Sequence, residues 1–135
     1  MLAEVTGPRG IRLRCRVAET RRDRARGLLG ATALPADLAL LLPNATSVHT
    51  FGMRFPILVA RLDPRFRVID VRILRPGHLL LPRRRARHVL EASPDLDLRA
   101  GDVLRVEGPG GLAILPPLPP GRGRGRARRA RAPIV

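Results

Sequence analysis

The chain has 135 residues, of which 44% are hydrophobic and only 2% aromatic, and its formal net charge at pH 7 is +15. A chain of this length fits one domain that can bury a core without metal or disulfides. The single cysteine, Cys15, excludes an internal disulfide framework and is typical of a reducing cytoplasm.

Neither a targeting segment nor a membrane span is visible. The N-terminal residues include Glu4 and lack the apolar stretch of a signal peptide. The longest apolar run free of proline and charge, Leu38–Leu42, has five residues, whereas a membrane-spanning helix needs about 20. We therefore expect a cytoplasmic protein with no membrane insertion.

The positive charge has two readings. All 26 basic residues are arginine, and arginine binds phosphate groups and stacks on bases, which favours nucleic-acid binding. The absence of lysine also fits a GC-rich coding sequence. That second reading explains arginine in place of lysine, but not the excess of basic residues over the 11 acidic ones.

The charge is concentrated at the C-terminus. Residues 116–135 contain six arginines, no acid and many Pro and Gly residues. Such a segment has too little apolar surface to fold alone. We predict one domain over residues 1–115, followed by a disordered tail over residues 116–135.

Short strands dominate the predicted elements. From Ile11 to Val17, apolar residues alternate with arginines, and this period of two predicts a strand with one buried face. Further short apolar segments flanked by turn residues are predicted to be strands as well. They are residues 38–42, 47–51, 57–62, 66–74, 88–92, 103–106 and 112–115.

Two local features interrupt the strand pattern. Thr20 followed by Asp23 is a variant capping box, and Gly30 suits a helix C-cap, so residues 20–29 are predicted to form a short helix. The apolar alternation changes phase between Val68 and Ile69, which predicts a β-bulge. The expected fold class is mostly β, either sandwich or jelly-roll-like or barrel-like, with one short N-terminal helix.

Four segments in this order resemble a known family. They are TRRDRARGLLG at residues 20–30, HTFGMRFPI at 49–57, ARHVLEA at 86–92, and Gly101-Asp102. Together they resemble the domain of unknown function 192, also called UPF0127 or uncharacterised ACR. The resemblance implies a compact β-rich domain of the jelly-roll or sandwich type with a short helix near its start. It implies no particular biochemical activity.

The chain departs from the family pattern at two places. Leu58 stands where the family usually has Asp, two residues after the proline of the central motif. The stretch between Glu91 and Gly101 is also shorter than usual. If a shared site used that aspartate, this chain has lost it.

Metal and nucleophile signatures are weak. His49, His78 and His88 stand alone, without the ligand spacing of a metal site, so we expect no metal and no cofactor. Cys15 lies on the apolar phase of its strand, where cysteine usually acts as a small core residue rather than a nucleophile.

The best polar candidates for a pocket are His49, Arg54, Arg87 and Glu91, because they lie in the family-like segments. Arg54 or Arg87 beside Glu91 can form a bidentate ion pair. Such a pair can line a pocket or simply clamp two strands together.

Clustered arginines are candidates for contacts with a polyanion. They are Arg83, Arg84 and Arg85 in the domain and Arg122, Arg124, Arg126, Arg128, Arg129 and Arg131 in the tail. The function we predict is a non-enzymatic module that binds a small ligand or a protein partner. Two alternatives stay open: an enzyme that uses a His/Glu/Arg pocket, and weak non-specific polyanion binding through the tail.

Deleting residues 116–135 tests the predicted boundary. The deletion should leave the melting temperature nearly unchanged and should weaken binding to heparin or duplex DNA. Each lost phosphate contact lowers the log–log salt slope by about 0.9, so six arginines account for at most ~5. A large drop in melting temperature would show that the tail packs on the domain.

Overall fold

The computed structural model describes residues 1–18 and 32–109. Within them the chain forms nine strands and one three-residue 3-10 turn, Pro8–Gly10. The strands are β1 (Leu2–Thr6), β2 (Arg12–Val17), β3 (Leu38–Leu42), β4 (Val48–His49), β5 (Ile57–Leu62), β6 (Val68–Leu74), β7 (Leu79–Leu80), β8 (His88–Ala92) and β9 (Arg105–Glu107). No helix in this part of the chain is long and apolar enough to cross a membrane.

Seven strands form one sheet in the order β6-β5-β8-β3-β2-β1-β9, and β4 pairs with β7 in a separate two-stranded sheet. In the large sheet β2 and β3 run parallel, and the other neighbouring strands are antiparallel. Three of the six neighbouring pairs in the large sheet join strands that are not consecutive in sequence, namely β5-β8, β8-β3 and β1-β9.

The large sheet curls into a half-barrel. Its two edges meet where an antiparallel bridge joins Arg67, just before β6, to Val103, just before β9. The Val68 N–H donates to the Asp102 carbonyl at 2.8 Å, and the Leu104 N–H donates to the Phe66 carbonyl at 3.0 Å. The concave face of the sheet consequently surrounds a core.

That main core takes alternate residues from every strand of the large sheet. Leu13, Cys15 and Val17 of β2 belong to it, as do Leu90 of β8 and Leu58 of β5. Their arginine neighbours on β2 are exposed. The period of two in the sequence thus corresponds to one face against the core and one face in solvent.

A second apolar layer covers the convex face of the central strands. Residues 43–56, hereafter the cover segment, contribute Ala45, Val48 and Met53 to it. From the sheet it includes Leu40 of β3 and Val59 of β5. Because both faces are packed, every residue of β5 and of β8 is buried.

The predicted fold class is wrong, although the β-rich character is confirmed. The described residues form a seven-stranded sheet that curls into a half-barrel and a separate sheet of two short strands. They also contain no helix of seven or more residues. The helix predicted over residues 20–29, the strand over 112–115 and the tail over 116–135 all lie outside the described residues.

Most predicted strands within the described residues are confirmed. The bulge is confirmed too, because Arg61 pairs with Asp70 and Leu62 with Val68, which leaves Ile69 as an extra residue. The sequence pattern missed β1, which pairs with β2 on one side and β9 on the other. It also missed β7, whose two residues are too few for a period to be visible.

Substitutions on β2 test the assignment of its two faces. Leu13→Asp should lower the free energy of unfolding by more than about 3 kcal/mol, because it removes a core side chain and buries a charge. Arg14→Asp loses only an exposed ion pair with Asp37, so its effect should stay below about 1 kcal/mol. Urea unfolding of both variants makes the comparison, and equal effects would contradict the assignment.

Candidate functional site

The family-like segment His49–Ile57 begins in β4 and forms a tight turn in the cover segment. The Met53 N–H donates to the Thr50 carbonyl at 3.2 Å, and Gly52 has a φ of 80°, which favours glycine at that turn position. The His49 ring stacks on Phe51 with centroids 5.3 Å apart. Arg54 follows on the exposed side of the turn.

Thr50 ties the cover segment to residues 75–78. Its hydroxyl donates to the Arg75 carbonyl at 2.6 Å and accepts from the His78 N–H at 2.9 Å. Its backbone N–H donates to the His78 carbonyl at 2.8 Å, and its carbonyl accepts from Gly77. Thr50 is fully buried and therefore holds the turn in place.

Glu91 lies on the convex face of β8, in the middle of the sheet. Its neighbours in the ladder are Leu40 of β3 and Val59 of β5, and both belong to the second apolar layer. Glu91 is only 3% exposed. Within the described part of the chain, its Oε2 atom has no hydrogen-bond partner.

This environment changes the acidity of the carboxyl group. Burial raises the pKa of Glu91 to about 7, because an ionised carboxylate loses its hydration in an apolar layer. The group is therefore divided between its protonated and ionised forms near neutral pH. It can donate a hydrogen bond in one form and bind a cation in the other.

His88, one residue before Val89 on β8, is held in a neutral state. Its Nδ1 accepts a hydrogen bond from the Asn44 N–H at 3.0 Å, so its proton lies on Nε2. Burial lowers the pKa of His88 to about 4, and the positive charge of Arg87 acts in the same direction. The ring packs against Phe66 with centroids 5.3 Å apart.

Among the described residues, no hydrogen bond or ion pair joins any two of the four predicted pocket residues. Arg87 lies in the loop just before β8, and its Nε donates to the Asn44 side chain at 3.2 Å. His49 lies in the cover segment and Arg54 is exposed. Among the described residues Glu91 forms no ion pair, so the predicted Arg–Glu clamp is not found there.

A different clamp was missed by the sequence analysis. Arg61 of β5 donates through Nε to Asp70 Oδ1 at 2.8 Å and through a second nitrogen to Asp70 Oδ2. Arg61 also donates to the Leu81 carbonyl at 2.5 Å, and Arg83 reaches Asp70 Oδ2 at 2.7 Å. The sequence contains one signal for this clamp: Arg61 and Asp70 lie in two consecutive predicted strands that a short turn joins into a hairpin.

The clamp fixes the charges of its members. Burial tends to raise the pKa of Asp70, but hydrogen bonds from Arg61 and Arg83 outweigh it, and the pKa lies below its usual value. Asp70 is thus an ionised carboxylate shared by two guanidinium groups. Arg83, predicted as a polyanion contact, is used here to hold the loop before β8 against β6.

Other chemical candidates are less favourable. Burial raises the pKa of the Cys15 thiol to about 12, which suppresses the thiolate that a nucleophile needs. In the described residues no three His, Cys, Asp or Glu side chains are grouped as metal ligands. Leu58, at the position where the resemblance expects Asp, is a residue of the main core and is 2% exposed.

Fold and site together describe a β domain with a half-barrel core and a buried carboxyl group whose Oε2 atom has no hydrogen-bond partner among the described residues. The sequence matches the family DUF192, described as Uncharacterized ACR, over residues 3–106. The chain therefore belongs to this family.

Known relatives agree with this assignment. The UPF0127 protein PH1112 of Pyrococcus horikoshii is 39% identical over 80 residues, which cover 56% of this chain and 69% of that protein. A protein of unknown function from Novosphingobium aromaticivorans superposes with a TM-score of 0.66 at 21% identity, covering 77% of this chain and 83% of that one. A putative transcription regulator from Sinorhizobium meliloti gives 0.66 at 16% identity, covering 78% and 92%. The two structures support the fold.

The pKa of Glu91 predicts a pH-dependent effect of Glu91→Gln. The native carboxyl titrates near pH 7 and the unfolded one near 4.5, so the wild type loses stability as pH rises through this window. The glutamine variant cannot ionise. Its free energy of unfolding, relative to wild type, should therefore increase by about 3 kcal/mol between pH 4 and pH 8.

Urea unfolding at several pH values measures this difference. His88 contributes in the opposite direction, because its lowered pKa makes the fold lose stability as pH falls from about 6.5 to 4. That contribution is common to both proteins and cancels. Glu107→Gln is the control, since Glu107 is partly exposed and paired with Arg105. A flat difference for Glu91→Gln would show that its carboxyl is not desolvated.

Proposed function

We propose that the domain is a non-enzymatic binding module whose ligand is a small, largely apolar molecule with a cationic or hydrogen-bonding group that meets Glu91. The observation that carries this proposal is the buried carboxyl of Glu91, whose Oε2 has no partner in the described residues. A buried polar atom without a partner requires an explanation.

A purely structural role accounts poorly for this carboxyl. The neighbours of Glu91 in the ladder, Leu40 and Val59, are aliphatic, and a third aliphatic residue would pack there without desolvating a charge. An ionised, unpaired carboxylate in this layer destabilises the fold near neutral pH. A ligand that supplied a cation or a hydrogen bond would offset that penalty, so ligand binding and folding stability would be coupled.

The cover segment supplies further polar atoms of the same kind. Ser47 Oγ and His49 Nδ1 are both buried and have no hydrogen-bond partner in the described residues. Val48, between them, packs in the same apolar layer as the ladder neighbours of Glu91. An apolar layer with a few unsatisfied polar atoms is the usual composition of a small-molecule site.

Local opening of the cover segment gives the ligand a route. Its β-structure consists of two residue pairs between β4 and β7, and Thr50 provides the additional bonds to residues 75–78. Elements with so few backbone hydrogen bonds open at a small fraction of the global unfolding free energy. The seven-stranded sheet would keep its shape meanwhile.

The binding function is favoured over the enzyme alternative by the surroundings of the histidines. An acid–base mechanism needs a histidine or second carboxyl within hydrogen-bond distance of Glu91. In the described residues, His88 bonds to a backbone N–H and His78 to the carbonyls of Arg75 and Pro76. Neither ring is bonded to a carboxylate there, and the buried Nδ1 of the third histidine, His49, has no hydrogen-bond partner among the described residues.

Thermal unfolding of the full chain at pH 8 tests the proposal. The probes are hexylamine and benzylamine, each compared with the alcohol of the same shape. An amine at tenfold its dissociation constant stabilises the native state by about 1.4 kcal/mol, which raises the melting temperature by several degrees, roughly 2–8 °C. The alcohols should have a smaller effect.

Glu91→Gln should remove the difference between amine and alcohol, whereas Glu107→Gln should retain it. Equal amine responses in wild type and Glu91→Gln would show that Glu91 does not contact the ligand. If no probe raises the melting temperature of the wild type, the proposed ligand class is wrong.

A further inference from the structure

A second surface lies apart from Glu91, at the rim where β5 ends and β6 and β8 begin. The turn between β5 and β6 carries Arg65 and Arg67, and the loop before β8 carries Arg84, Arg85 and Arg87. These five residues are called the basic rim below. The strands bring them together, because β5 is hydrogen-bonded to β6 on one side and β8 on the other.

The register confirms that the turn and the loop are neighbours. The Arg87 N–H donates to the Leu62 carbonyl at 2.6 Å, so the loop joins β5 directly before the turn begins. Leu62 is paired with Val68 across the hairpin and with His88 on the other side. Two segments separated by about 20 residues in sequence therefore end at the same rim.

Three acidic groups lie near the basic rim, and two of them are paired with arginines outside it. Asp63 Oδ1 accepts the N–H groups of Arg65 and Arg67 and so stabilises its own turn. Asp70 is bound by Arg61 and Arg83. Asp102, which touches the start of β6 through its backbone, pairs with Arg9.

Asp63 keeps its negative charge and forms no ion pair among the described residues, so it offsets only part of the charge of the five guanidinium groups of the basic rim. Arg65, Arg67, Arg84 and Arg85 are exposed, and none of them forms an ion pair within the described part of the chain. Arg87 is half-buried and donates to Asn44. The rim is a concentrated positive surface on a fixed scaffold.

We propose that the basic rim binds the phosphate backbone of double-stranded nucleic acid without reading its sequence. Arginine forks match phosphate geometry and act at long range on a polyanion. The rim consists of a turn and a loop, and it offers no helix or ribbon that would enter a groove and read base edges.

One observation favours duplex over single-stranded nucleic acid. Phe66, the aromatic residue of the turn, is buried against His88, so the rim has no exposed ring for stacking on single-stranded bases. Exposed apolar residues lie beside the rim as well as on the β4–β7 side, since Val103 is bridged to Arg67 and Leu81 precedes the loop that carries Arg84 and Arg85. A membrane-binding surface combines such residues with arginines, so lipid vesicles are a necessary probe in the test.

Fluorescence anisotropy with a labelled 20-base-pair duplex tests the proposal on the full chain. Arg84→Gln/Arg85→Gln is the rim variant. Arg72→Gln/Arg75→Gln is the matched control, because it removes the same charge from two exposed arginines toward the other end of β6. The C-terminal arginines are present in all three proteins, so differences between the variants report on the rim.

The rim variant should bind the duplex roughly tenfold more weakly at 100 mM salt, with a log–log salt slope lower by up to about 1.8. The control should change affinity by about twofold or less, and both variants should melt at the wild-type temperature. Scrambling the duplex sequence should change nothing. Equal losses in the two variants would overturn the proposal and assign binding to net charge.

Single-stranded DNA and vesicles containing phosphatidylserine are the remaining probes. Each should bind more weakly than the duplex and depend less on Arg84 and Arg85. A rim-dependent affinity for vesicles that exceeds the affinity for duplex would identify a membrane as the partner, and it would overturn the assignment to nucleic acid.

Discussion

Burial of the central strands on both faces is the constraint on which the rest of the structure depends. β5 and β8 have the main core on one side and the layer under the cover segment on the other, and all their residues are buried. Strands that are buried on both faces normally consist of consecutive apolar residues. A polar side chain on such a strand loses its contacts with water. Unless a hydrogen bond or an ion pair within the protein replaces them, its burial destabilises the fold. Arg61, His88 and Glu91 are the polar residues in question, and each meets the constraint in a different way.

Arg61 keeps its charge because Asp70 lies directly opposite on β6 and accepts two hydrogen bonds. Planar pairs of this kind satisfy both ions at once, and removal of either partner leaves a buried charge. His88 loses its charge instead, since its neutral ring accepts one backbone hydrogen bond and packs on Phe66. Glu91 does neither within the described residues, and it is the group whose protonation still changes near neutral pH. The Nε2 atom of His88 also has no hydrogen-bond partner among the described residues, but of these three groups only Glu91 changes its charge near neutral pH.

The strands could be predicted from the sequence, but the fold class could not. Alternation at Leu13 and Cys15 fixes which face of β2 is buried, and the phase change at Ile69 identifies the bulge. Both are local signals that involve residues close in the chain. The curl depends on the bridge between Arg67 and Val103, and no periodicity within one segment records which distant strands will meet. The candidate site could be predicted only in part, for the same reason. The sequence shows that Glu91 is a polar residue in a predicted strand, but its apolar neighbours come from β3 and β5, which are distant in the chain.

The clamp in the core also determines the charge at the rim. Asp70 has two arginine partners, of which Arg61 is buried in the sheet and Arg83 comes from the loop before β8. One carboxylate shared by two guanidinium groups leaves a net positive charge before any other arginine is considered. The ion pair between Arg83 and Asp70 also anchors the loop before β8. Arg84 and Arg85 directly follow Arg83, so their positions are restrained by this contact. Satisfying Arg61 inside the sheet thus consumes the acid that would otherwise neutralise the rim. Arg61 lies in a strand that is buried on both faces, and its partner Asp70 also holds the loop of the basic rim. Arg61 therefore links the stability of the core to the surface that we propose for phosphate binding.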